Sequence, residues 1–483
     1  MFDVALLASL VSEMGNGKAA GLDGLSAEHL KNCHPVFYTV ICKLFNQCLL
    51  LGWIPPAFGL SYTVPIPKGD GRSQTASASS FRGISINSVL SKLFEMAVLN
   101  RFLEYFHTSD SQFGFKKKLS CSHAIYCIRN AVEHYTRGQS TVNMCMVDLS
   151  KAFDKLNHYA LFLKLLDRKF PVELINIFTQ WFQVSATCVK WGGCFSEFFN
   201  LSTGVRQGGV LSPYFFTIYV DDIIKQIRSS NLGCHISATS VAIIMYADDI
   251  VLVAPSVDSL QALLILLEHF LDELDMRINS TKSVCIRFGP RHDAVCSNLT
   301  SKNGEQIFWA TTCRYLGVYF VCGQTFKCCF DHAKRQFFRS VNAIFSRVGT
   351  FVSEEVFVNL LRTKCLPVLM YAVEACPMNS GIKRSLEFTV TRCFMKIFRT
   401  TSSKIVEECQ RFMNFLPITH QIHLKTVNFM QKFADSENSI CGLFKDNARR
   451  QTSDISNVYK LSPESTPERV KCEIRESFLK TVL

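Results

Sequence analysis

The sequence lacks the paired cysteines of a zinc-binding domain, although it is rich in cysteine. Its 21 cysteines are scattered, none of them forms a C-x-x-C pair, and none has histidine partners at zinc-finger spacing. This pattern excludes the common structural zinc sites. We therefore interpret the cysteines as reduced intracellular thiols that serve mostly as small core residues.

Long apolar runs are also missing. No uninterrupted apolar stretch reaches the roughly 20 residues that cross a bilayer. The start of the chain, Met1 to Leu7, lacks the basic residues that open a signal peptide, and no internal repeat is visible. The sequence thus predicts an intracellular protein that is neither secreted nor associated with a membrane.

The chain does contain ample material for a core and an excess of positive charge. Its 483 residues leave room for roughly two to four domains, and 48% of them are hydrophobic. The formal net charge of +12 favours a polyanionic partner, whose affinity would fall as the salt concentration rises.

Two adjacent aspartates stand at a tight turn in Tyr246-Ala247-Asp248-Asp249. The flanking runs 241–245 and 250–254 are apolar and β-branched, which predicts a buried hairpin. Aspartate is rare in strands and is seldom buried without a partner, so the pair predicts a compensating cation. Hard oxygen ligands suit Mg²⁺. The alternative at this point is an ordinary polar turn.

A third aspartate, Asp148, follows a predicted strand and precedes a predicted helix. The apolar run Met144 to Val147 leads into it, and residues 160–166 have the apolar content of a helix. Placed beside Asp248, it completes a carboxylate cluster able to hold two metal ions about 3.5–4 Å apart. One ion would activate an attacking oxygen and the other would steady a leaving pyrophosphate, which is the chemistry of nucleotidyl transfer.

Further motifs accompany the two aspartate blocks in a fixed order between about Asn16 and about Phe320. They are Gly17 to Leu25, Val64 to Lys68, Phe81 to Ser85, Gln112 to Phe115, Gly204 to Pro213, Asn279 to Lys282 and Tyr315 to Val318. With these motifs the sequence resembles the reverse transcriptases of non-LTR (LINE-type) retrotransposons. The resemblance implies an α+β right-hand polymerase fold with fingers, a palm built on an antiparallel sheet, and a helical thumb.

The resemblance also implies a reaction and its participants. The protein would be an RNA-directed DNA polymerase that extends a DNA primer on an RNA template with deoxynucleoside triphosphates. Two Mg²⁺ ions, with Mn²⁺ as an alternative, would be held by Asp148, Asp248 and Asp249. The protein would act in the nucleus and cytoplasm as a ribonucleoprotein.

Three cations take roles from the same resemblance. Lys68 and Arg82, in predicted loops, would belong to the fingers that clamp the nucleotide triphosphate, and the arginine fork suits phosphate oxygens. Lys282 would lie near the triphosphate as a candidate general acid for the leaving pyrophosphate. Taken as isolated residues, all three would more often be solvated surface charges.

Gln207 and Phe153 would contact the nucleotide. The resemblance implies that Gln207 lies beside the incoming nucleotide and the template base. Its glycine neighbours let the backbone pass close to another group, and Ser212-Pro213 predicts a helix start. Phe153, five residues after Asp148, would exclude a 2′-hydroxyl by overlap. The alternatives are a simple glycine turn and a core aromatic residue.

Four regions follow from the motif order. We predict a helical N-terminal extension at 1–60, fingers and palm at 61–322, a helical thumb at 323–400, and a C-terminal helical region of unknown role at 401–483. A glycine- and serine-rich loop at 69–80 links two finger strands, and a basic amphipathic helix at 331–345 opens the thumb. The leucine stripe from Leu260 to Leu274 predicts a core-packed helix that begins at Ser256. The polar stretch 449–469 predicts a partly disordered segment.

No endonuclease accompanies these motifs, so we expect a fragment or truncated copy whose integration needs an endonuclease supplied elsewhere. Two alternatives stay open. One is a catalytically silent or co-opted copy that only binds nucleic acid. The other is a different palm polymerase, such as a group II intron-like enzyme or a viral RNA polymerase. Phe153 and the Tyr-Ala-Asp-Asp hairpin disfavour the viral enzyme.

Overall fold

The computed structural model describes residues 1–68, 77–348, 352–462 and 465–479, so most of the predicted loop 69–80 lies outside the described residues. The helices are α1 (Val4–Glu13), α2 (Ala27–Lys31), α3 (Val36–Leu51), α4 (Val89–Arg101), α5 (Cys121–Arg137), α6 (Ala152–Lys155), α7 (His158–Asp167), α8 (Val172–Gln183), α9 (Ser212–Ser229), α10 (Val257–Glu273), α11 (Asp331–Val348), α12 (Glu354–Leu360), α13 (Leu366–Leu369), α14 (Ser380–Ile397), α15 (Ser403–Phe412), α16 (Ile418–Ala434), α17 (Ser439–Gly442), α18 (Lys445–Val458) and α19 (Pro467–Leu479). Short 3₁₀ helices cover Pro56–Gly59, Ala78–Ser80 and Leu103–Phe106, and a π-helix covers Leu361–Cys365.

The strands are mostly short. They are β1 (Leu60–Pro67), β2 (Phe81–Asn87), β3 (Val142–Val147), β4 (Ala186–Trp191), β5 (Cys194–Phe195), β6 (Phe199–Asn200), β7 (His235–Ile236), β8 (Thr239–Ser240), β9 (Ile243–Tyr246), β10 (Asp249–Ala254), β11 (Val284–Phe288), β12 (Leu299–Thr300), β13 (Gln306–Ile307), β14 (Thr312–Tyr315), β15 (Val318–Val321) and β16 (Lys327–Cys329). The mixture of helix and sheet agrees with the predicted α+β class.

The chain forms two compact units, each built from separated segments. The first unit comprises Met1–Phe115, Leu149–Ser229 and Leu266–Asn279. Its sheet has the order β2-β1-β4-β5, with β6 paired to β4. Beside the sheet, the rings of Phe45, Phe58, Phe94 and Trp181 pack with centroids 4.9–6.3 Å apart. Aromatic rings at such distances add stabilisation beyond their buried area, so this cluster anchors the helices of the unit.

The second unit comprises Lys116–Asp148, Ser230–Ile265 and Ser280–Leu483. Its main sheet has the order β11-β3-β10-β9, and all its pairings are antiparallel. Every residue of β3 is buried, because this strand has a neighbour on each side and side chains covering both faces. The unbroken apolar run that precedes Asp148 in the sequence is therefore a central strand.

The C-terminal part of the second unit is helical. Helix α16 packs against α18 and α19 through a cluster of Val427, Ile455, Val470 and Ile474. The prediction of partial disorder at 449–469 is wrong for residues 449–458, which belong to helix α18. Their polar side chains cover the solvent side of a helix that buries Ala448 and Ile455, and residues 463 and 464 lie outside the described residues.

Two predicted amphipathic helices are confirmed. Before α10, the Ser256 hydroxyl accepts the N–H of Ser259 at 3.1 Å, and Leu260, Leu263, Leu264, Leu267 and Leu271 are buried. Helix α11 buries Phe337 and Val341 and exposes Arg335 and Arg339. Lys334 of this helix is partly buried, and its ammonium pairs with Asp331 at 2.7 Å and donates to Ser385. Within the described ranges, no helix combines the length and apolarity that crossing a bilayer requires.

We expect the protein to lose stability in mild acid because two of its histidines are buried. Burial lowers the pKa of both His123 and His423 from 6.5 to about 4, with nearby lysine charge adding to the effect. Between these values the unfolded chain binds more protons than the folded one, so the free energy of unfolding falls as pH falls. Each histidine would cost about 2 kcal/mol near pH 5.

Thermal unfolding at pH 7.5 and pH 5 checks this expectation. His123→Asn keeps an acceptor for the backbone N–H of Ser120, which His123 accepts at 3.2 Å, and should flatten the pH dependence. The exposed His269 provides the control, and His269→Asn should leave the dependence unchanged. If stability fell equally between pH 7.5 and pH 5 in the wild-type protein and in His123→Asn, His123 would not be a source of the acid sensitivity.

Candidate active site

Asp148 stands at the end of the buried strand β3, as predicted. Its backbone N–H donates to the hydroxyl of Ser283 at 3.1 Å, and its side chain is 42% exposed. Sequence reasoning missed Ser283, which carries no signal beyond its closeness to Lys282 in the chain. The backbone of Asp148 is therefore fixed while its carboxylate remains open to solvent.

The Asp248-Asp249 hairpin is also confirmed, with one correction. Strands β9 and β10 pair antiparallel from Tyr246 opposite Asp249, and Ala247 takes the left-handed conformation with φ 58°. The strands are buried, but Asp248 is only half-buried and Asp249 is exposed. The two carboxylates are less buried than the sequence predicts, since the turn carries them out of the core, so their burial does not by itself call for a compensating cation.

The sheet register brings Asp148 to the same strand end as the hairpin. Ile250 of β10 lies opposite Val147 of β3, so the next pair in this antiparallel register is Asp249 and Asp148. On the other side of β3, β11 begins just after Lys282, whose Nζ lies 3.9 Å from Oδ2 of Asp148. Three carboxylates and one ammonium thus belong to adjoining ends of three paired strands.

The donor set at this strand end suits a hard cation. Among the described residues, no group of three or more His, Cys, Asp or Glu side chains is gathered closely enough to hold a metal ion. Mg²⁺, however, commonly takes only one or two protein carboxylates and completes its shell with water and substrate phosphates. The half-exposed carboxylates of Asp148 and Asp248 and the exposed one of Asp249 fit that chemistry.

Tyr315 is a buried residue whose phenol senses the charge of Asp249. It lies in the Tyr315 to Val318 motif, where β14 turns into β15 through Leu316 and Gly317, both with positive φ. Burial raises the pKa of Tyr315, and the negative charge of Asp249 raises it further. The phenol therefore stays neutral. The sequence motif marks this position, but only the structure relates it to Asp249.

Lys68 and Arg82 lie at the same end of the paired strands β1 and β2 in the first unit. The backbone N–H of Lys68 donates to the carbonyl of Ser80 at 2.8 Å, and Arg82 lies opposite Ile66 in the antiparallel register. Both side chains are exposed. The prediction of loops is right for Lys68, which follows β1, but wrong for Arg82, which is the second residue of β2.

Phe153 is half-buried in the short helix α6. Its ring stacks on Phe216 of α9, with centroids 4.5 Å apart and planes 19° apart. Its carbonyl accepts the N–H of Val205 at 2.9 Å, so it lies beside the loop that carries Gln207. Phe153 thus has one face against the core and a part that remains accessible, unlike a fully buried core residue.

Gln207 lies in a loop that crosses strand β2 at close range. Its carbonyl accepts the N–H of Ser85 at 2.8 Å, and its side-chain Nε2 is 3.5 Å from Oδ1 of Asp154. At Gly208, with φ 134°, a Cβ would overlap the carbonyl oxygen of Ser85. The prediction that these glycines allow a close backbone approach is confirmed, and α9 begins at the predicted Ser212.

We expect Gly208→Ala to destabilise the protein more than an ordinary left-handed glycine would. The added methyl combines an unfavourable φ with a backbone clash, at a cost of about 2–4 kcal/mol. Gly192, with φ 57° and open space around it, provides the control, since alanine there should cost only about 1 kcal/mol. Urea unfolding measures the loss of unfolding free energy in both variants. Equal losses would contradict a close approach of Gly208 to the backbone of Ser85.

Comparisons with known proteins identify the family. The reverse transcriptase (RNA-dependent DNA polymerase) family matches residues 66–320. The Pol polyprotein of the type-2 retrotransposable element R2DM from Drosophila melanogaster is 25% identical over 293 residues, which are 60% of this chain and 27% of the relative. The RNA-directed DNA polymerase from the mobile element jockey of Drosophila funebris is 26% identical over 330 residues, 66% of this chain and 35% of the relative.

Among solved structures, a telomerase from Candida tropicalis in complex with a fragment of telomeric RNA is similar with a TM-score of 0.43 and 16% identity, over 93% of this chain and 68% of that chain. The chain spans about a quarter to a third of the length of the two retrotransposon relatives. These relatives do not favour the alternatives of a viral RNA polymerase or a group II intron-like enzyme. Because the family match covers more than half of its residues, the chain belongs to the reverse transcriptase (RNA-dependent DNA polymerase) family, has that family's α+β polymerase fold, and has non-LTR retrotransposon polymerases as relatives.

Proposed function

We propose that the protein is an RNA-directed DNA polymerase that extends a DNA primer on an RNA template with deoxynucleoside triphosphates. The observation that supports this most directly is the sheet register that sets Asp148 opposite the Asp248-Asp249 hairpin, inside the segment matched by the reverse transcriptase family. The formal net charge of +12 is consistent with polyanionic substrates.

Asp148, Asp248 and Asp249 would hold two Mg²⁺ ions, or Mn²⁺ in their place. When bound, these ions would activate the attacking hydroxyl and neutralise charge on the leaving pyrophosphate. Lys282, with its ammonium 3.9 Å from Asp148, would donate a proton to the leaving pyrophosphate. The exposed position of this lysine lets it meet a phosphate without breaking a packed contact.

The remaining site residues would bind and select the nucleotide. Lys68 and Arg82 would bind the triphosphate oxygens, with the arginine fork making two parallel hydrogen bonds. Phe153 would exclude a 2′-hydroxyl by steric overlap, and Gln207 would pack against the nucleotide and the template base. These roles require exposed cations and a partly accessible ring, and each side chain meets that condition.

Regions and partners follow from the same proposal. The sheet of β1, β2 and β4 would belong to the fingers, the sheet of β3, β9, β10 and β11 to the palm, and the helices from α11 to the thumb. The C-terminal helices would have a separate role. An endonuclease outside these residues would supply the primer end during integration, and the protein would work inside the cell as a ribonucleoprotein.

Primer extension by the purified protein tests the proposal. A labelled oligo(dT) primer on poly(A) RNA should be extended with dTTP and Mg²⁺, and extension should weaken as salt is raised. A DNA template and a reaction with UTP serve as specificity controls. Binding of the primer–template without extension, by protein that is folded by circular dichroism, would overturn the proposal and favour a silent nucleic-acid-binding copy.

A further inference from the structure

Glu95 is a buried carboxylate that the proposed chemistry does not use. It lies on helix α4, is 3% exposed, and accepts the backbone N–H of Leu211 at 2.7 Å on Oε2. The backbone N–H of Val210 also favours the charged form of this carboxylate and lowers its pKa. Glu95 therefore holds the chain immediately before helix α9 begins at Ser212, across 116 residues of sequence.

Arg206 holds the other end of the same loop. Its guanidinium donates to the carbonyls of Phe58 and Gly59 at 3.4 and 3.3 Å and lies 6.0 Å from the centre of the Trp181 ring. Burial raises the pKa of Glu95, while the positive charge of Arg206 and the two N–H donors act in the opposite direction. The loop is thus held at one end by the contacts of Arg206 and at the other by the hydrogen bond from Leu211 to Glu95.

Gln207 lies between these two anchors. Its carbonyl is fixed by the N–H of Ser85 at 2.8 Å, and Gly208 lies against the backbone of Ser85. The N–H of Gly209 donates to the carbonyl of Arg206 at 3.2 Å, and a Cβ at Gly209 would come within 3.3 Å of Oε2 of Glu95. The backbone of the loop therefore has little conformational freedom while Glu95 is in place. The conformation of this backbone sets the direction in which the side chain of Gln207 points.

We propose that Glu95 is a positioning residue for Gln207, setting the affinity and selectivity for the incoming nucleotide through the loop from Arg206 to Leu211 without touching the substrate. The inference rests on the proposed function, since it assumes that Gln207 contacts the nucleotide. It assigns a role to a residue of α4 that lies far from every aspartate block in the sequence.

The test compares Glu95→Gln with Asp221→Asn. Asp221 is a matched control, because it is 1% exposed, pairs with Arg168 at 2.5 Å and accepts the N–H of Ser109 at 2.6 Å, but anchors a different loop. Both variants should lower the melting temperature by similar amounts. Only Glu95→Gln should raise KM for dTTP, by about ten-fold, with kcat changed less than about three-fold and misincorporation increased.

A second variant, Glu95→Asp, and a second measurement, hydrogen exchange, complete the test. They distinguish the positioning role from a folding defect and do not require an active enzyme. Glu95→Asp keeps a carboxylate at this position but draws it away from Leu211, and should also raise KM for dTTP. Hydrogen exchange at the amides of Val210 and Leu211 should accelerate in both Glu95 variants and not in Asp221→Asn.

The outcomes separate the two proposals. Unchanged KM in both Glu95 variants of an active enzyme, or equal KM changes in Asp221→Asn, would overturn the positioning role. Unchanged hydrogen-exchange rates at the amides of Val210 and Leu211 in both Glu95 variants would also overturn the positioning role. This result would count even if the wild-type protein proves inactive. Inactivity of the folded wild-type protein would count against the polymerase proposal alone, and the exchange data would then decide whether Glu95 anchors the loop.

Discussion

Replacing Asp148 with asparagine should reduce primer extension by several orders of magnitude while leaving nucleic-acid affinity nearly unchanged. Asparagine has the same shape but no negative charge, so it cannot replace a carboxylate ligand of Mg²⁺. The backbone of Asp148 is held by Ser283, and its side chain is 42% exposed, so the variant should fold normally. Single-nucleotide extension gives the rate, and fluorescence anisotropy with a labelled primer–template gives the affinity.

A second aspartate variant separates this effect from a general loss of charge. Asp222→Asn removes a carboxylate of similar exposure, 47%, that pairs with Lys164 at 2.5 Å and Lys225 at 3.1 Å on the surface of α9. Its extension rate should stay within a few-fold of the wild-type rate. Wild-type extension by Asp148→Asn in Mg²⁺, or an equal loss in Asp222→Asn, would refute the assignment of Asp148 as a metal ligand.

Shortening Phe153 to valine should relax the discrimination between deoxyribonucleotides and ribonucleotides. If the ring excludes a 2′-hydroxyl, the smaller side chain opens space for it. The ratio of kcat/KM for dTTP to that for UTP should then fall by roughly ten- to a thousand-fold, at about 1.4 kcal/mol per decade. Single-turnover extension with each nucleotide on the same primer–template measures this ratio.

The competing interpretation of Phe153 makes a different prediction. A ring that serves only to pack on Phe216 would, when trimmed, lower the melting temperature and depress both activities equally. Phe162→Val is a suitable control, since Phe162 is also half-buried and packs edge-on against Phe182 at 5.8 Å. Phe153 would have only a packing role if Phe153→Val left the dTTP/UTP ratio of kcat/KM unchanged and lost as much stability as Phe162→Val.

The elements nearest the proposed chemistry could be predicted from the sequence because their signals are local. The two strands around Asp248 and Asp249, the leucine stripe of α10 and the helix start at Ser212 each depend on residues within one element. The glycines after Gln207 likewise indicate a close backbone approach, whereas the structure shows that the approached segment is the backbone of Ser85. Motif order then extended these elements to a polymerase family, which the comparisons confirmed.

By itself, the sequence determined which residue types stand at strand ends and turns, and therefore which chemistry the protein is equipped for. The tertiary structure alone decided how those residues are exposed and supported. The structure turns the aspartate pair out of the core, places Arg82 within a strand, sets Tyr315 near Asp249, and brings Glu95 to the backbone of Leu211. The physical reason is that burial and pairing of charged groups depend on contacts between segments far apart in the chain. The alternation of apolar and polar residues records only which face of an element is covered, and not what covers it.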